Sequence, residues 1–294
     1  MRCGFVAEHQ GYELSIKQLC DLVNIPKSSY YHWSSGLEQR ALSAEAEQEL
    51  FFKIKKIFIE SQRTYGVPRV WRKLLRSGVA CSRQEVAEIM RKNKLISVHC
   101  RVKKKFVVTT DSSGTHLPAD NLLDRKFAAS KANEKWVGDV TYIRTSEGWV
   151  YLANVIDLFS RKVVGYAIGD RNDARLACAA FKMAVARRQQ PRQLMYHSDR
   201  GSVYASKDFK DLLAKNEITP SMSRKGNCWD NAVAESFFHT LKVELIFQKE
   251  FRLKLSAVSS ISDWIENFYN TERMHSSIGY CSPVEFELIQ AGII

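Results

Sequence analysis

Trp136-Val137-Gly138-Asp139-Val140-Thr141-Tyr142-Ile143 is the stretch on which the reading of this chain turns. Val, Ile, Tyr and Trp in close succession favour a strand, yet an acidic residue, Asp139, stands in the middle of it. Two further acidic residues have comparable settings. Asp199 follows a second β-like run, Leu194-Met195-Tyr196-His197-Ser198, and Glu235 lies in the first turns of a helical pattern from Asn231 to Glu244. Carboxylates carried on separate elements and brought together can hold two divalent cations. Such a pair of ions can clamp the attacking and leaving oxygens of a phosphodiester.

The elements around these residues follow in a readable order. Trp136–Arg144, Trp149–Asp157 and Val163–Gly169 are strand-like and are joined by the short turns Ser146-Glu147-Gly148 and Phe159-Ser160-Arg161-Lys162, which predicts an antiparallel meander. Asp173 can cap a helix reaching Arg188. A strand over 193–198, a helix over 206–216, a short strand near 218–221, a loop over 223–230 and the Glu235 helix come next. The order β-β-β-α-β-α-β-α predicts an α/β fold with a mixed sheet of the ribonuclease H-like type. A right-handed crossover allows the 193–198 strand to lie parallel beside the first, which places Asp199 next to Asp139. Asp157, at the end of the second strand, is the main rival ligand, and its position at the start of a turn makes it structural.

The first 130 residues are helical and basic. They hold 22 Lys/Arg against 13 Asp/Glu, and the remainder 22 against 19, within a net charge of +12. Residues 1–40 predict a helix-turn-helix: Ser15 caps a helix from Ile16 to Val23, and Pro26 opens a second from Lys27 to Trp33. Lys27, Ser28, Ser29, Tyr30, Tyr31 and His32 on that second helix can meet phosphates and base edges. Residues 41–95 predict a second helical DNA-binding unit, with helices Ala44–Glu60, Arg69–Arg76 and Arg83–Lys92. Residues 96–130 read as a basic linker in which Arg101, Lys103, Lys104 and Lys105 can track a DNA backbone. The catalytic core is expected over 131–245, and a helical tail over 246–294, where Trp264, Phe268 and Tyr269 are candidates to pack against the core. A solvated basic surface is the ordinary alternative for the front half.

Several classes are disfavoured. The seven scattered cysteines include no C-x-x-C, which argues against a disulfide framework or a zinc knuckle. No apolar run approaches a membrane span, and the apolar stretch after Met1 is too short for a signal peptide, so a cytoplasmic, nucleoid-associated protein is expected. No G-x-x-x-x-G-K-[ST] loop occurs, so ATP is not indicated. None is needed, because exchanging one phosphodiester for another is nearly energy-neutral. On the last core helix Glu235, His239 and Lys242 share one face, so His239 and Lys242 are candidate DNA contacts. Arg224 and Lys225 in the polar loop before it are candidates too, with Gly226 as a hinge.

Taken singly, each acidic residue has an ordinary explanation: a satisfied edge polar group, a turn residue, a helix-start charge. Together with their flanks they resemble something specific. Trp136–Tyr142, His197-Ser198-Asp199-Arg200-Gly201 and Arg224–Phe237 resemble the DDE transposases of bacterial insertion sequences, above all the IS-three family in its second-reading-frame product, OrfB. The core is similar to that of retroviral integrases. Tyr65-Gly66 in the front half, and Asn270, Arg273, His275-Ser276, Gly279-Tyr280 and Ser282-Pro283 in the tail, extend the resemblance over most of the chain. It implies that Asp139, Asp199 and Glu235 form the metal-binding catalytic triad, and that Lys242 touches transposon-end DNA. It implies Mg²⁺, with Mn²⁺ as a substitute, and two ions. The implied activity is nicking at element ends followed by strand transfer. The implied partners are DNA, an OrfA protein or a frameshift fusion with it, and further copies of the same chain; the want of a long N-terminal heptad run suits an unfused OrfB. Two positions depart from the family pattern. Val203 stands where a Gln is expected and Gly138 where a Thr-like residue is expected. The zinc-binding His-His-Cys-Cys spacing of retroviral integrases is missing, so zinc is not expected. A resident ribonuclease H-like nuclease and a catalytically silent DNA-binding regulator remain as alternatives.

Overall fold

The computed structural model describes residues 1–11, 14–100 and 119–294, without the side chains of residues 37–41 and 228. Arg101, Lys103, Lys104 and Lys105 lie outside the described residues. The chain divides into two compact units, Met1–Ile96 and Ser97–Ile294.

The first unit is helical. Helices α1 (Arg2–Glu8), α2 (Ile16–Leu22) and α3 (Lys27–Ser35) close on a small core of Val6, Leu19, Cys20 and Tyr30. Ser15 caps α2 in a reciprocal box with Gln18. The sequence reading did not include α1, and Tyr30, expected to face DNA, points inward instead. It is 3% exposed, and its hydroxyl donates to Gln10 Oε1 at 3.0 Å. An aromatic ring on this nine-residue helix helps to fill so small a core. Helix α4 (Leu37–Glu60) begins earlier than its apolar spacing predicted and runs without interruption across residues 40 and 41. With α5 (Val67–Arg76) and α6 (Arg83–Lys92) it buries Ile54, Phe58, Val70, Leu74, Val86 and Ile89. Ser82 and Glu85 form the capping box of α6.

The second unit is built on a five-stranded mixed sheet, β1 (Lys135–Thr145), β2 (Gly148–Asp157), β3 (Val163–Gly169), β4 (Met195–Ser198) and β5 (Thr219–Met222), in the order β3-β2-β1-β4-β5. The first three strands form the predicted antiparallel meander. β4 lies parallel to β1 and β5 parallel to β4. Helix α7 (Ala174–Arg187, capped by Asp173), α8 (Ser202–Ala205) and α9 (Lys207–Lys215) supply one apolar layer, with Phe181, Ala184, Phe209 and Leu213 against Trp136, Val155 and Tyr196. Helix α10 (Ala232–Glu244) supplies the other, with Phe237, Phe238 and Leu241 against Val137, Leu152 and Ile156.

The stretch read as linker is, over residues 119–130, part of this unit. Leu123 is 1% exposed in the α10 layer, and the Leu122 and Leu123 amides donate to Ser221 Oγ. The tail also joins the core. Helix α11 (Lys254–Asp263) continues into a π-turn, Trp264–Tyr269, and both bury side chains beside Phe237. Asn270 bonds Val163 through both its amide atoms, at 3.0 Å each, in the manner of a neighbouring strand. Arg273 and His99 converge on the buried Glu244 at the end of α10, at 2.7 and 2.6 Å. Burial pushes the Glu244 carboxyl up, but Arg273 and His99 outweigh it and hold it below its ordinary value. Helix α12 (Pro283–Gln290) closes the chain, with Ser282 and Glu285 as its capping box.

Gly138, one of the two residues that depart from the family pattern, has a steric cause. A Cβ there would collide with Tyr196 Oη and lie 2.7 Å from Tyr196 Cζ. The bulky ring on β4 fills the space that a side chain on β1 would take. Gly138→Ala is therefore expected to destabilise the fold by about 1–3 kcal/mol through overpacking. In urea unfolding Tyr196→Phe, which removes the atom met first, should recover part of that loss; an equal loss in both backgrounds would contradict the account.

Candidate active site

The two aspartates are set side by side by strand register. β4 pairs with β1 through Lys135↔Met195, Trp136↔Tyr196 and Val137↔His197. Carrying the register two residues further sets Asp199 opposite Asp139. On its other side Asp139 faces Asn154 of β2, which is wholly buried and accepts the Asp139 amide at 3.1 Å. Each aspartate also accepts a nearby amide: Asp139 Oδ1 from Val140 at 2.8 Å, Asp199 Oδ1 from Gly201 at 2.9 Å. Gly201 permits this turn, since a Cβ there would stand 3.0 Å from Asp199 Oδ1.

Glu235 comes to the pair from the first turn of α10. That helix start is fixed by Asn231, whose Nδ2 donates to the Gly138 carbonyl at 3.2 Å, immediately before Asp139. The electrostatics register the convergence. Burial, then Asp199 and Glu235, push the Asp139 carboxyl well above the ordinary aspartate value, against the Val140 amide and Lys242. Burial and then Asp199 push Glu235 up as well. Three carboxylates in mutual repulsion form a set of hard oxygen donors suited to divalent cations. Among the described residues no three acidic, His or Cys side chains are gathered tightly enough to hold an ion as they stand. The two aspartates are turned onto the backbone amides of Val140 and Gly201.

Lys242 lies on the same helix. Its ammonium sits 5.4 Å from the centre of the Tyr142 ring, and burial lowers its pKa while Asp139 opposes the shift. His239, one turn nearer Glu235, is exposed. In the preceding loop Lys225 is exposed, whereas Arg224 is engaged: its Nε and Nη2 grip the two oxygens of the buried Asp230 at 2.9 and 2.8 Å. Arg125 and Asn121 bind the same carboxylate, and Arg224 first of all holds it well below the aspartate range. Lys27, Ser28 and Ser29 are exposed in the first turn of α3, in the other unit.

Val203, where a Gln was expected, is 7% exposed and part of the α7 layer, so its apolar side chain has a packing role. Asp157 accepts amides from Asn133 and Phe159 at 2.8 and 3.0 Å and faces Arg188 at 3.6 Å, which is the anchoring of a turn. His197 is wholly buried between Ser221 and Ser223, and burial lowers its pKa to about 4. The sequence reading did not assign roles to Asn154, Asn231 and Asp230. A polar residue inside an apolar strand, a residue at a helix entrance and an acid inside a basic loop were the available signals.

The chain matches the family model described as an integrase core domain over residues 129–228, a second integrase core domain model over 216–283, and an HTH-like domain model over 45–105. The transposase InsF for insertion sequence IS3A of Escherichia coli (strain K12) is 38% identical over 287 residues, spanning 98% of each chain. A 31 kDa protein of insertion element IS600 from Shigella sonnei is 37% identical over 91% of this chain and 97% of its own. Among solved structures, the HTLV-2 integrase catalytic core domain in complex with magnesium (dimeric form) aligns at 17% identity with a TM-score of 0.42, covering 54% of this chain and 98% of that one. With more than a third of its residues identical to InsF over nearly the full length of both, and an integrase core beneath the carboxylates, this chain belongs to the IS3 family of insertion-sequence transposases.

Proposed function

We propose that Asp139, Asp199 and Glu235 are the catalytic, metal-holding triad of this transposase, and that it nicks DNA at the ends of its element and joins the freed 3′-hydroxyl to a second phosphodiester. The observation that carries this reading is the strand register that sets Asp199 beside Asp139, with the start of α10, which carries Glu235, tied by Asn231 to the Gly138 carbonyl next to them. Bound between these carboxylates, a pair of Mg²⁺ ions, or Mn²⁺ in their place, would supply the Lewis acidity that activates the attacking oxygen and steadies the departing one. The chain's own residues do the positioning. β1 and β4 hold the two aspartates, α10 brings Glu235 from a third direction, and Lys242 offers a cation to a substrate phosphate. One P–O bond forms as another breaks in each step, so positioning and charge suffice without a nucleotide.

DNA is held by both units in this reading. Lys27, Ser28 and Ser29 at the exposed start of α3, the basic α5–α6 pair and the cations at 101–105 meet the backbone, while Lys225 and His239 meet DNA near the cut. Arg224 contributes chiefly by shaping the loop. Two ends must be joined, so several copies act together on DNA, with an OrfA partner or fusion, in the bacterial nucleoid.

Two outcomes are expected. On end-labelled DNA from the element terminus, wild type with Mg²⁺ nicks at the end, while Glu235→Gln or EDTA reduces nicking to background and leaves DNA retention in gel shifts within about twofold, since triad charge adds little to backbone binding. Cleavage by Glu235→Gln at the wild-type rate would remove Glu235 from the triad. Second, the raised carboxyls make ionisation unfavourable in the folded, metal-free protein, so their contribution to stability is greatest below the ordinary carboxylate range and is lost as pH rises through the raised values. Metal-free Asp139→Asn should therefore melt higher than wild type by a margin that grows from pH 4 to pH 7, and Mg²⁺ should raise the melting temperature of wild type alone. A variant that melts lower at pH 7, or gains equally from Mg²⁺, would contradict this.

A further inference from the structure

The far end of the β1–β2 hairpin carries side chains that the triad does not use. Tyr142 pairs with Tyr151, and Arg144 with Trp149. Because side chains alternate along a strand, these four share one face of the sheet. Nearer the triad the same face runs into the core through Val140 and Ala153. At the hairpin end that cover stops: Trp149 is 45% exposed, Arg144 is exposed, and Tyr142 and Tyr151 are half-buried. The rings are ordered against one another, Trp149 meeting Tyr142 edge-on with centroids 5.0 Å apart and an interplanar angle of 86°. Lys242 stands over the Tyr142 ring at 5.4 Å. Arg144 makes no ion pair among the described residues. β4 pairs only with Lys135–Val137, so beyond Val137 the β4-side edge of β1 has no strand partner among the described residues, and Lys242 of α10 stands there over the Tyr142 ring.

Three aromatic side chains and Arg144 thus occupy one open face, opposite to the α10-covered face on which the Asp139 side chain lies, and Lys242, which acts on Asp139 and stands over the Tyr142 ring, bridges the two at the edge of β1. The shelf starts three residues from Asp139, roughly 10 Å along the strand. Unpaired nucleotides present that alternation of flat ring and negative charge at a similar spacing, and aromatic platforms with flanking cations hold single strands without reading their sequence. We propose that this shelf binds the unpaired bases beside the cut phosphodiester, with a base stacked on Trp149 and flanking phosphates met by Arg144 and Lys242. The inference rests on the triad being the cutting site. An unpaired stretch arises where a strand is opened next to a nick, which is why the occupant is single-stranded DNA and not a protein surface, to which the cations would offer no comparable match.

The test uses the full chain and terminal DNA with 2-aminopurine placed at successive positions on either side of the nick, with Ca²⁺ in place of Mg²⁺ to permit binding without cutting. Wild type should quench the probe at one or two adjacent positions. Trp149→Ala should abolish that quenching and weaken binding of DNA with a short single-stranded extension about tenfold or more, while binding of blunt duplex stays unchanged. Trp149→Phe should retain the quenching, and Arg144→Glu should weaken the extended DNA without touching a ring, so that the result does not depend on one variant folding. Equal quenching by wild type and Trp149→Ala, an equal loss on blunt duplex, or a change in sedimentation of the DNA-free protein on substituting Trp149 would each overturn the shelf; the last would mark the face as a contact between copies. Nicking of the same DNA in Mg²⁺ is followed in parallel. Nicking with unaltered quenching overturns the shelf alone, and no nicking by wild type even with the OrfA fusion added overturns the triad reading together with it.

Discussion

The end of the sheet unit that gathers Asp139, Asp199 and Glu235 depends on a short parallel pairing. Three residues of β4 lie in register with the first three of β1, and both strands then end their mutual ladder just where the aspartates begin. That arrangement sets Asp139 and Asp199 against each other in a partly dry setting, at a free-energy cost that the remainder of the unit must withstand. Fixing the strands is therefore the first demand on the fold. Tyr196 packs under Gly138 with no room for a side chain, Asn154 ties the Asp139 amide to β2, and His197, kept neutral by burial, bonds Ser221 and Ser223 on the far side of β4.

The second demand is to bring a carboxylate from a helix to the same place. Asn231 pins the entrance of α10 to the Gly138 carbonyl, and Asp230 gathers Arg224, Arg125 and Asn121 into a knot at the base of the preceding loop. At its other end α10 is held by Arg273 and His99 on Glu244. A helix fixed at both ends cannot drift to relieve repulsion at Glu235, so the strain stays available to be released by cations. Breaking a buried pair such as Glu244–Arg273 leaves an uncompensated charge, typically several kcal/mol, which makes the tail as necessary to the site as the strands.

Much of this was legible in the sequence because it rests on local signals. Alternating β-branched and aromatic residues marked β1, β2 and β3 to within a residue or so, Asp173 and Ser82 marked helix starts, and chain order with crossover handedness put Asp199 beside Asp139. What was not legible depends on contacts between distant residues. Tyr30 turns inward because α1 offers a core to fill, and nothing near Tyr30 announces α1. Residues 119–130 look like a polar connector until Ser221, about a hundred residues later, accepts their amides. The grip of Arg273 on Glu244 and the doubling of Asn270 as a strand neighbour are of the same kind. Gly138 looked like a departure from the family pattern, and only the ring of Tyr196 explains it.

The central claim is that three carboxylates from β1, the end of β4 and α10 jointly hold the ions that activate DNA. Anomalous diffraction from crystals of the protein with its terminal DNA and Mn²⁺ tests it most directly. The account predicts two Mn²⁺ peaks about 3.5–4 Å apart, ligated by Asp139, Asp199 and Glu235, and their loss in crystals of Glu235→Gln. Mn²⁺ bound at Asp157, or bound by the aspartates in the same way whether or not Glu235 is present, would contradict it.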